Sequence, residues 1–194
     1  MRSPSPTAAP APVRWQALGT LPVVCAVLVA LNGLSMLLVA FGNITDPSSN
    51  QALVQHVLAM DTTNFGAPPG TDLDPRVMWR AITDPGLQTA AYVAVIVWEA
   101  AAAVVLGAAA VLWVRERDAA RPGARLASTI GLLMILALFF GGFIVIGGEW
   151  FQMWRSTAWN GLDPAFRNSV LALLTLVLLH LPQAAPVAHR PAAV

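Results

Sequence analysis

The sequence predicts an all-α protein, a polytopic four-helix transmembrane bundle with short amphipathic helices in its first outer loop. Of the 194 residues, 57% are hydrophobic and only 11% are charged, whereas soluble domains contain about 45–50% apolar and about 25% charged residues. Four apolar runs are long enough to cross about 30 Å of hydrocarbon. We expect spans at about 17–42, 87–114, 126–154 and 164–182, within one membrane domain of residues 15–182.

The first apolar run, residues 17–42, follows a Pro/Ala/Ser-rich segment that we expect to be a disordered tail, residues 1–14. Leu38-Val39-Ala40 could serve as a signal-peptide processing site. However, the apolar core of a signal peptide is only about 7–15 residues long. The longer run therefore predicts a helix that is retained in the mature protein.

Asp-Pro pairs divide the polar segment between the first two spans, residues 43–85. Asp is a favoured N-cap residue, and Pro fits the first helical position because its missing N–H would be unpaired there anyway. Each pair therefore predicts a helix start. Two pairs should open amphipathic helices in the loop and two should open spans: Asp46-Pro47, Asp74-Pro75, Asp84-Pro85 and Asp163-Pro164.

The distribution of arginine predicts the orientation in the membrane. With both termini inside, the inner side carries Arg2, Arg14, Arg115, Arg117, Arg121, Arg125 and Arg190, and the outer side carries Arg76, Arg80, Arg155 and Arg167. This excess agrees with the positive-inside rule. The absence of Lys among the eleven basic residues indicates a GC-rich bacterial coding bias. We therefore expect a bacterial inner-membrane protein with a cytoplasmic N-tail and a disordered cytoplasmic C-tail, residues 183–194.

One carboxylate, Glu99, lies in the middle of an apolar span. Charge at that depth costs at least about 2.5 kcal/mol, and such residues often mark a proton relay or ligand site. The alternative is a protonated side chain that hydrogen-bonds a neighbouring helix. Helix lengths place Glu99 level with Asn32 and Thr175, and Ser35 shares a helix face with Asn32. We predict an intramembrane polar cluster of these four residues, with Glu99 donating to Asn32 or Thr175.

The third span ends in Glu149 and an aromatic group typical of the membrane interface. Outer-face candidates for a binding site are Glu149, Trp150, Trp154, His56, Asp61, Arg80 and Asn160. Glu149, His56 and Asp61 could together hold a metal or handle protons, but they come from distant segments without ligand spacing. We expect instead that Glu149 is solvated or paired with Arg155, and that the Trp residues anchor the helix.

Several function classes are excluded by the composition. The net charge of +1 gives no basis for nucleic-acid binding. Cys25 is the single cysteine, so neither a CxxC zinc site nor an internal disulfide can form. His56, His180 and His189 cannot pair across facing helices to hold haem in the expected topology, whereas haem binding through a single ligand or shared with another chain stays open. No Ser-His-Asp or P-loop pattern is present, so we predict no catalytic residue, no metal ligand and no cofactor.

Six stretches spread over most of the chain form a recognisable set: GNITDPSSN, QHVLAMDTT, MWRAI, VWEA, FIVIGGEWFQMW and WNGLDPAFR, which begin at Gly42, Gln55, Met78, Val97, Phe143 and Trp159. In these stretches the chain resembles a bacterial family of predicted small integral membrane proteins, a domain of unknown function. The resemblance implies four helices and a bacterial inner membrane, and it implies no activity.

Two classes of function remain. The first is a non-enzymatic subunit or scaffold that associates in the bilayer with other membrane proteins or with itself, through small residues such as Ala103 and Gly107 and the glycine pairs at 141–142 and 147–148. The alternative is a small proton-coupled transporter that uses Glu99. A weaker alternative is a quinone or metal redox site at the outer face.

Overall fold

The computed structural model describes residues 19–116 and 120–182, and all regular secondary structure in these two ranges is helical. The main elements are α1 (Leu21–Thr45), α2 (Pro47–Ala59), α3 (Pro85–Arg115), α4 (Pro122–Leu136), the π-helix that continues it (Ala137–Trp150), and α5 (Leu162–His180). The predicted tails, with Arg2, Arg14, His189 and Arg190, lie outside the described residues, as does Arg117.

Four of these helices are long and apolar enough to cross a membrane: α1, α3, α4 with its π-helical continuation, and α5. The predicted four-helix membrane fold is therefore confirmed. The observed bounds of all four spans differ from the predicted ones by one to four residues, most in the first and third spans. The first span continues to Thr45 rather than ending at Gly42, and the third span starts at Pro122 and ends at Trp150, not Trp154.

In the bundle, α3 packs against both α1 and α4, and α5 packs against α4, the π-helix and α1. The core contains side chains from all four spans, including Val29, Leu106, Leu132 and Ala172. Large apolar side chains also cover the outside of the same helices, among them Leu31, Val104, Leu133 and Leu173. An apolar exterior of this kind suits a surface surrounded by lipid.

Leu106 of α3 is the point of closest helix packing. It is fully buried between glycines of two neighbouring helices, Gly33 of α1 and Gly131 of α4. A methyl group on Gly131 would lie 2.5 Å from Cγ of Leu106, and one on Gly33 would lie 3.0 Å from Cβ. These two glycines therefore allow close helix approach. In the predicted glycine pairs, Gly148 also does so, because a methyl there would lie 3.0 Å from Cδ2 of Leu162, whereas Gly141 has no neighbour within 4 Å of such a methyl.

The segment between α1 and α3 forms one of its two predicted helices in full. The first, α2, starts at Pro47 as expected. The second shortens to a single 3-10 turn, Met78–Arg80. Two of the Arg76 guanidinium nitrogens, Nε and Nη2, each donate to a carboxylate oxygen of Asp74 at 3.0 Å. The Arg76 backbone N–H also donates to this carboxylate. These hydrogen bonds lower the pKa of Asp74 and hold its carboxylate in a turn, so it caps no helix.

We expect Gly131→Ala to destabilise the fold by about 1–3 kcal/mol, because overpacking a filled core displaces its neighbours. Gly107→Ala is the matched control, since a methyl there meets nothing within 4 Å. The control should be neutral or stabilising by up to about 1 kcal/mol, the intrinsic helix preference of Ala over Gly. Reversible unfolding of both variants in bilayer-like micelles measures the difference. Equal stabilities would contradict the tight packing around Leu106.

Candidate functional site

Asn43, in the last turn of α1, joins three helices through hydrogen bonds. Its Nδ2 donates to Oε2 of Glu99 on α3 at 2.7 Å, and its Oδ1 accepts from Nδ2 of Asn50 on α2. Its backbone carbonyl oxygen accepts from the Tyr92 hydroxyl at 2.8 Å. Asn43 and Glu99 are 4% and 2% exposed. We call these four residues the Asn43 network.

Helical periodicity explains how the network assembles. Tyr92 and Glu99 lie seven residues apart on α3, which places them on the same face two turns apart. On α1, the buried residues Met36 and Ala40 precede Asn43 at spacings of four and three. The sequence analysis missed Asn43 because it ended the span at Gly42. Extending the buried stripe by one further turn would have found it.

The predicted intramembrane polar cluster is divided in the structure. Nδ2 of Asn32 donates to Oγ1 of Thr175 at 3.2 Å, and Ser35 lines the same cavity between α1 and α5. Glu99 is bonded to Asn43 instead of Asn32 or Thr175. The prediction treated the helix ends as level. Glu99, however, lies midway along α3 but contacts the last turn of α1. Because a helix rises about 1.5 Å per residue, α3 must begin about 18 Å beyond the end of α1.

A cavity of about 180 Å³ lies beside Glu99 and is closed on one side by α2. We call it the polar cavity because amide, hydroxyl and carboxyl groups from four helices line it: Asn43, Asn50, Tyr92, Glu99 and Asn168. A second cavity of about 150 Å³, the apolar cavity, shares part of its wall. The shared residues are Leu53, Val54, Val95 and Phe143. The site therefore combines a polar chamber with an adjacent hydrocarbon-lined chamber.

The π-helix supplies the aromatic wall of the polar cavity through Phe139 and Phe143, whose ring centroids lie 5.7 Å apart. A π-helix of fourteen residues is unusual, since most occur as single-turn bulges and are frequent at functional sites. The sequence predicted an ordinary helix here. No local sequence signal that we used distinguishes the two forms.

The outer-face candidates are only partly brought together. Nδ1 of His56 lies 2.9 Å from Oδ1 of Asp61, and the His56 ring stacks on Trp159 at 4.6 Å. Glu149 is exposed on the π-helix, and its expected partner Arg155 donates to Gln152 instead. Among residues 19–116 and 120–182, no three His, Cys, Asp or Glu side chains are grouped closely enough to hold a metal ion.

Trp150 forms part of an aromatic and cationic surface near the end of the third span. The Arg80 guanidinium lies 5.0 Å from the Trp150 ring centroid and 5.5 Å from that of Trp79, and it donates to the Trp150 carbonyl at 3.3 Å. Trp154 packs against Phe65 at 5.9 Å. Exposed Trp rings beside a charge suit the headgroup region of a membrane.

Asn160 has a local structural contact. Its Oδ1 accepts a hydrogen bond from the backbone N–H of Leu162 at 3.1 Å, at the start of α5. This contact satisfies one of the backbone donors that a helix N-terminus leaves unpaired.

Comparison with known proteins identifies a family. A family model described as "Predicted small integral membrane protein (DUF2165)" matches residues 21–182, which include all four spans. No curated protein and no solved structure matched the chain.

We expect Glu99→Leu to destabilise the protein by roughly 0.6–2 kcal/mol, the range for an interhelical hydrogen bond in a membrane. The substitution removes the acceptor of Asn43 Nδ2. Glu149→Gln is the control, because Glu149 is exposed and such substitutions change stability by no more than about 0.5 kcal/mol. Unfolding in mixed micelles measures both. A larger loss for Glu149→Gln than for Glu99→Leu would contradict this assignment.

Proposed function

Because the chain belongs to the family of predicted small integral membrane proteins, we propose that it is a non-enzymatic membrane subunit or scaffold. It binds a transmembrane helix of another membrane protein or of a second copy of itself. The observation that carries this proposal is a groove on the lipid-facing side of the bundle, between α1 and α3.

The groove has a volume of about 390 Å³ and is lined largely by small side chains. We call it the small-residue groove, with Ala30, Gly33, Ala40, Ala100, Ala103, Gly107 and Ala110 among its lining residues. Leu37 and Val104, which also line it, are 56% and 72% exposed. In lipid, helices associate through close van der Waals packing, for which small residues are favoured. A groove of this composition therefore suits another helix better than bulky side chains would.

The alternative function, proton-coupled transport through Glu99, is supported by the polar cavity beside that residue. Proton pathways in membranes use chains of ionisable groups. Of the described residues that line the polar cavity, Glu99 is the only carboxylate, and none is His, Lys or Arg. These features favour a subunit over a carrier.

The weaker alternative, a redox site at the outer face, is supported by the contact between His56 and Asp61. Glu149 does not complete a metal-ligating group with them within the described residues. The exposed Trp150 and Trp154 rings are accounted for by anchoring at the membrane interface.

We also propose that the protein lies in the inner membrane of a bacterium, with both termini in the cytoplasm. Support comes from the arginines, which are denser in the connection between α3 and α4 than in the segment between α1 and α3. Residues 46–84, including α2, then lie on the periplasmic side.

To test the association, we expect Gly107→Leu to abolish or weaken copurification of the membrane partner, or self-association, at least tenfold. Its side chain would occupy the small-residue groove, and no atom of the fold lies within 4 Å of a methyl at this position. Gly141→Leu is the control, because Gly141 is equally free of such neighbours but lies outside the groove. Crosslinking in native membranes and mass spectrometry measure the association. Undiminished association of Gly107→Leu would refute the groove as the interface.

The orientation is tested by cysteine accessibility in intact cells. We expect Gly70→Cys to react with a membrane-impermeant maleimide from the periplasm, and Ala120→Cys to react only after the cells are opened. Both positions are exposed, and the native Cys25 is buried and gives little background. The reverse labelling pattern would overturn the proposed topology.

A further inference from the structure

We propose that the polar cavity and the apolar cavity together form a binding site for a small amphipathic amine. The ligand is a primary ammonium group with a short, unbranched apolar tail. The ammonium would lie beside Glu99 in the polar cavity, and the tail would extend past Val95 and Phe143 into the apolar cavity.

The charge preference comes from Glu99. Its Oε2 accepts from Asn43, and no hydrogen bond to Oε1 is found among the described residues. Since Glu99 lines the polar cavity, Oε1 accepts from the ligand in the proposed complex. A carboxylate removed from water is costly unless it is paired. A bound ammonium supplies both a counter-charge and the missing hydrogen bond.

Aromatic rings and an amide oxygen at the polar cavity favour a cation, whereas helix N-termini there oppose one. Phe139 and Phe143 present aromatic rings, which attract ammonium groups. Nδ2 of Asn168 donates to Pro164, which leaves the side-chain oxygen of Asn168 as an acceptor. The C-terminal end of α1 and the N-terminal ends of α2 and α5 border the cavity, so the helix ends together add partial positive charge that opposes a bound cation. Glu99 is then the full charge that decides which ligand is bound.

The volumes limit the size of the ligand. An apolar cavity of about 150 Å³ is large enough to hold benzene. The polar cavity has about 180 Å³ and the apolar cavity about 150 Å³. They accommodate a headgroup and a tail of a few methylene groups, but they do not hold the two acyl chains of a phospholipid. The four residues shared by the two walls make the chambers neighbours, so one ligand can occupy both.

The test uses the full chain in nanodiscs and three probes with the same tail: hexylammonium, 1-hexanol and hexanoate. Binding is measured by calorimetry at pH 7, with empty nanodiscs subtracted to remove partitioning into lipid. We expect saturable binding of hexylammonium, at least tenfold weaker binding of hexanol, and no binding of hexanoate. Glu99→Gln should lower hexylammonium affinity at least tenfold and leave hexanol affinity unchanged. Glu149→Gln, which removes a carboxylate outside both cavities, should change neither.

Asn168→Leu gives a second measurement that does not depend on how Glu99→Gln folds. It removes the side-chain acceptor and should lower hexylammonium affinity several-fold. Equal affinity for hexanol and hexylammonium would show a neutral apolar site and overturn the proposal. So would tighter binding of hexanoate, an absence of saturable hexylammonium binding, or unchanged hexylammonium affinity in a folded Glu99→Gln or Asn168→Leu variant.

Discussion

The hydrogen bond between Asn43 and Glu99 is the interaction on which the arrangement of this protein depends. A carboxyl group inside a membrane bundle is costly unless a partner satisfies it. The partner is placed by the end of α1, which must remain helical as far as Thr45 to direct Asn43 inward. Asn50 on α2 then bonds to the same amide, so α2 must lie against the bundle. One buried carboxyl thus constrains the positions of three helices.

The segment between α1 and α3 is consequently part of the packed structure and not a loose loop. Ile82 N–H donates to the Leu58 carbonyl, and the Gln88 side chain bonds to the Ile82 carbonyl. The stretch around Asn64 is held by the side chain of that residue, which donates to two backbone carbonyls. The Ser156 hydroxyl donates a hydrogen bond to the Thr62 hydroxyl, which links this segment to the connection before α5. These contacts hold the segment against the bundle, where Asn50, Leu53 and Val54 of α2 line the polar cavity.

Two features of the bundle are available for interaction, and they differ in chemistry. The small-residue groove faces lipid and has no charged side chain in its lining. A partner there would therefore be selected by shape complementarity alone. The polar cavity lies between helices and has a single carboxyl in its lining, so charge would discriminate among the ligands proposed for it. Leu106, packed between Gly33 and Gly131, holds α1, α3 and α4 together near the groove. A scaffold role and a ligand site can therefore coexist without sharing residues.

Local sequence patterns suffice for the membrane class, the number of spans and the helix starts at Pro47 and Pro85. Apolar length and Asp-Pro capping are local properties, and the start of α2 at Pro47 followed from them directly. The sequence also singled out Glu99, because a carboxylate in an apolar run is visible without any structure. The hydrogen-bond partner of Glu99, in contrast, is not evident from the sequence. It depends on the axial offset between α1 and α3, which no local pattern encodes, and on the packing of α2 against the bundle. The π-helical form of Ala137–Trp150 is likewise a feature that the sequence did not predict. The two helical forms differ by one residue in hydrogen-bond register, a difference that apolar periodicity over a single span does not resolve.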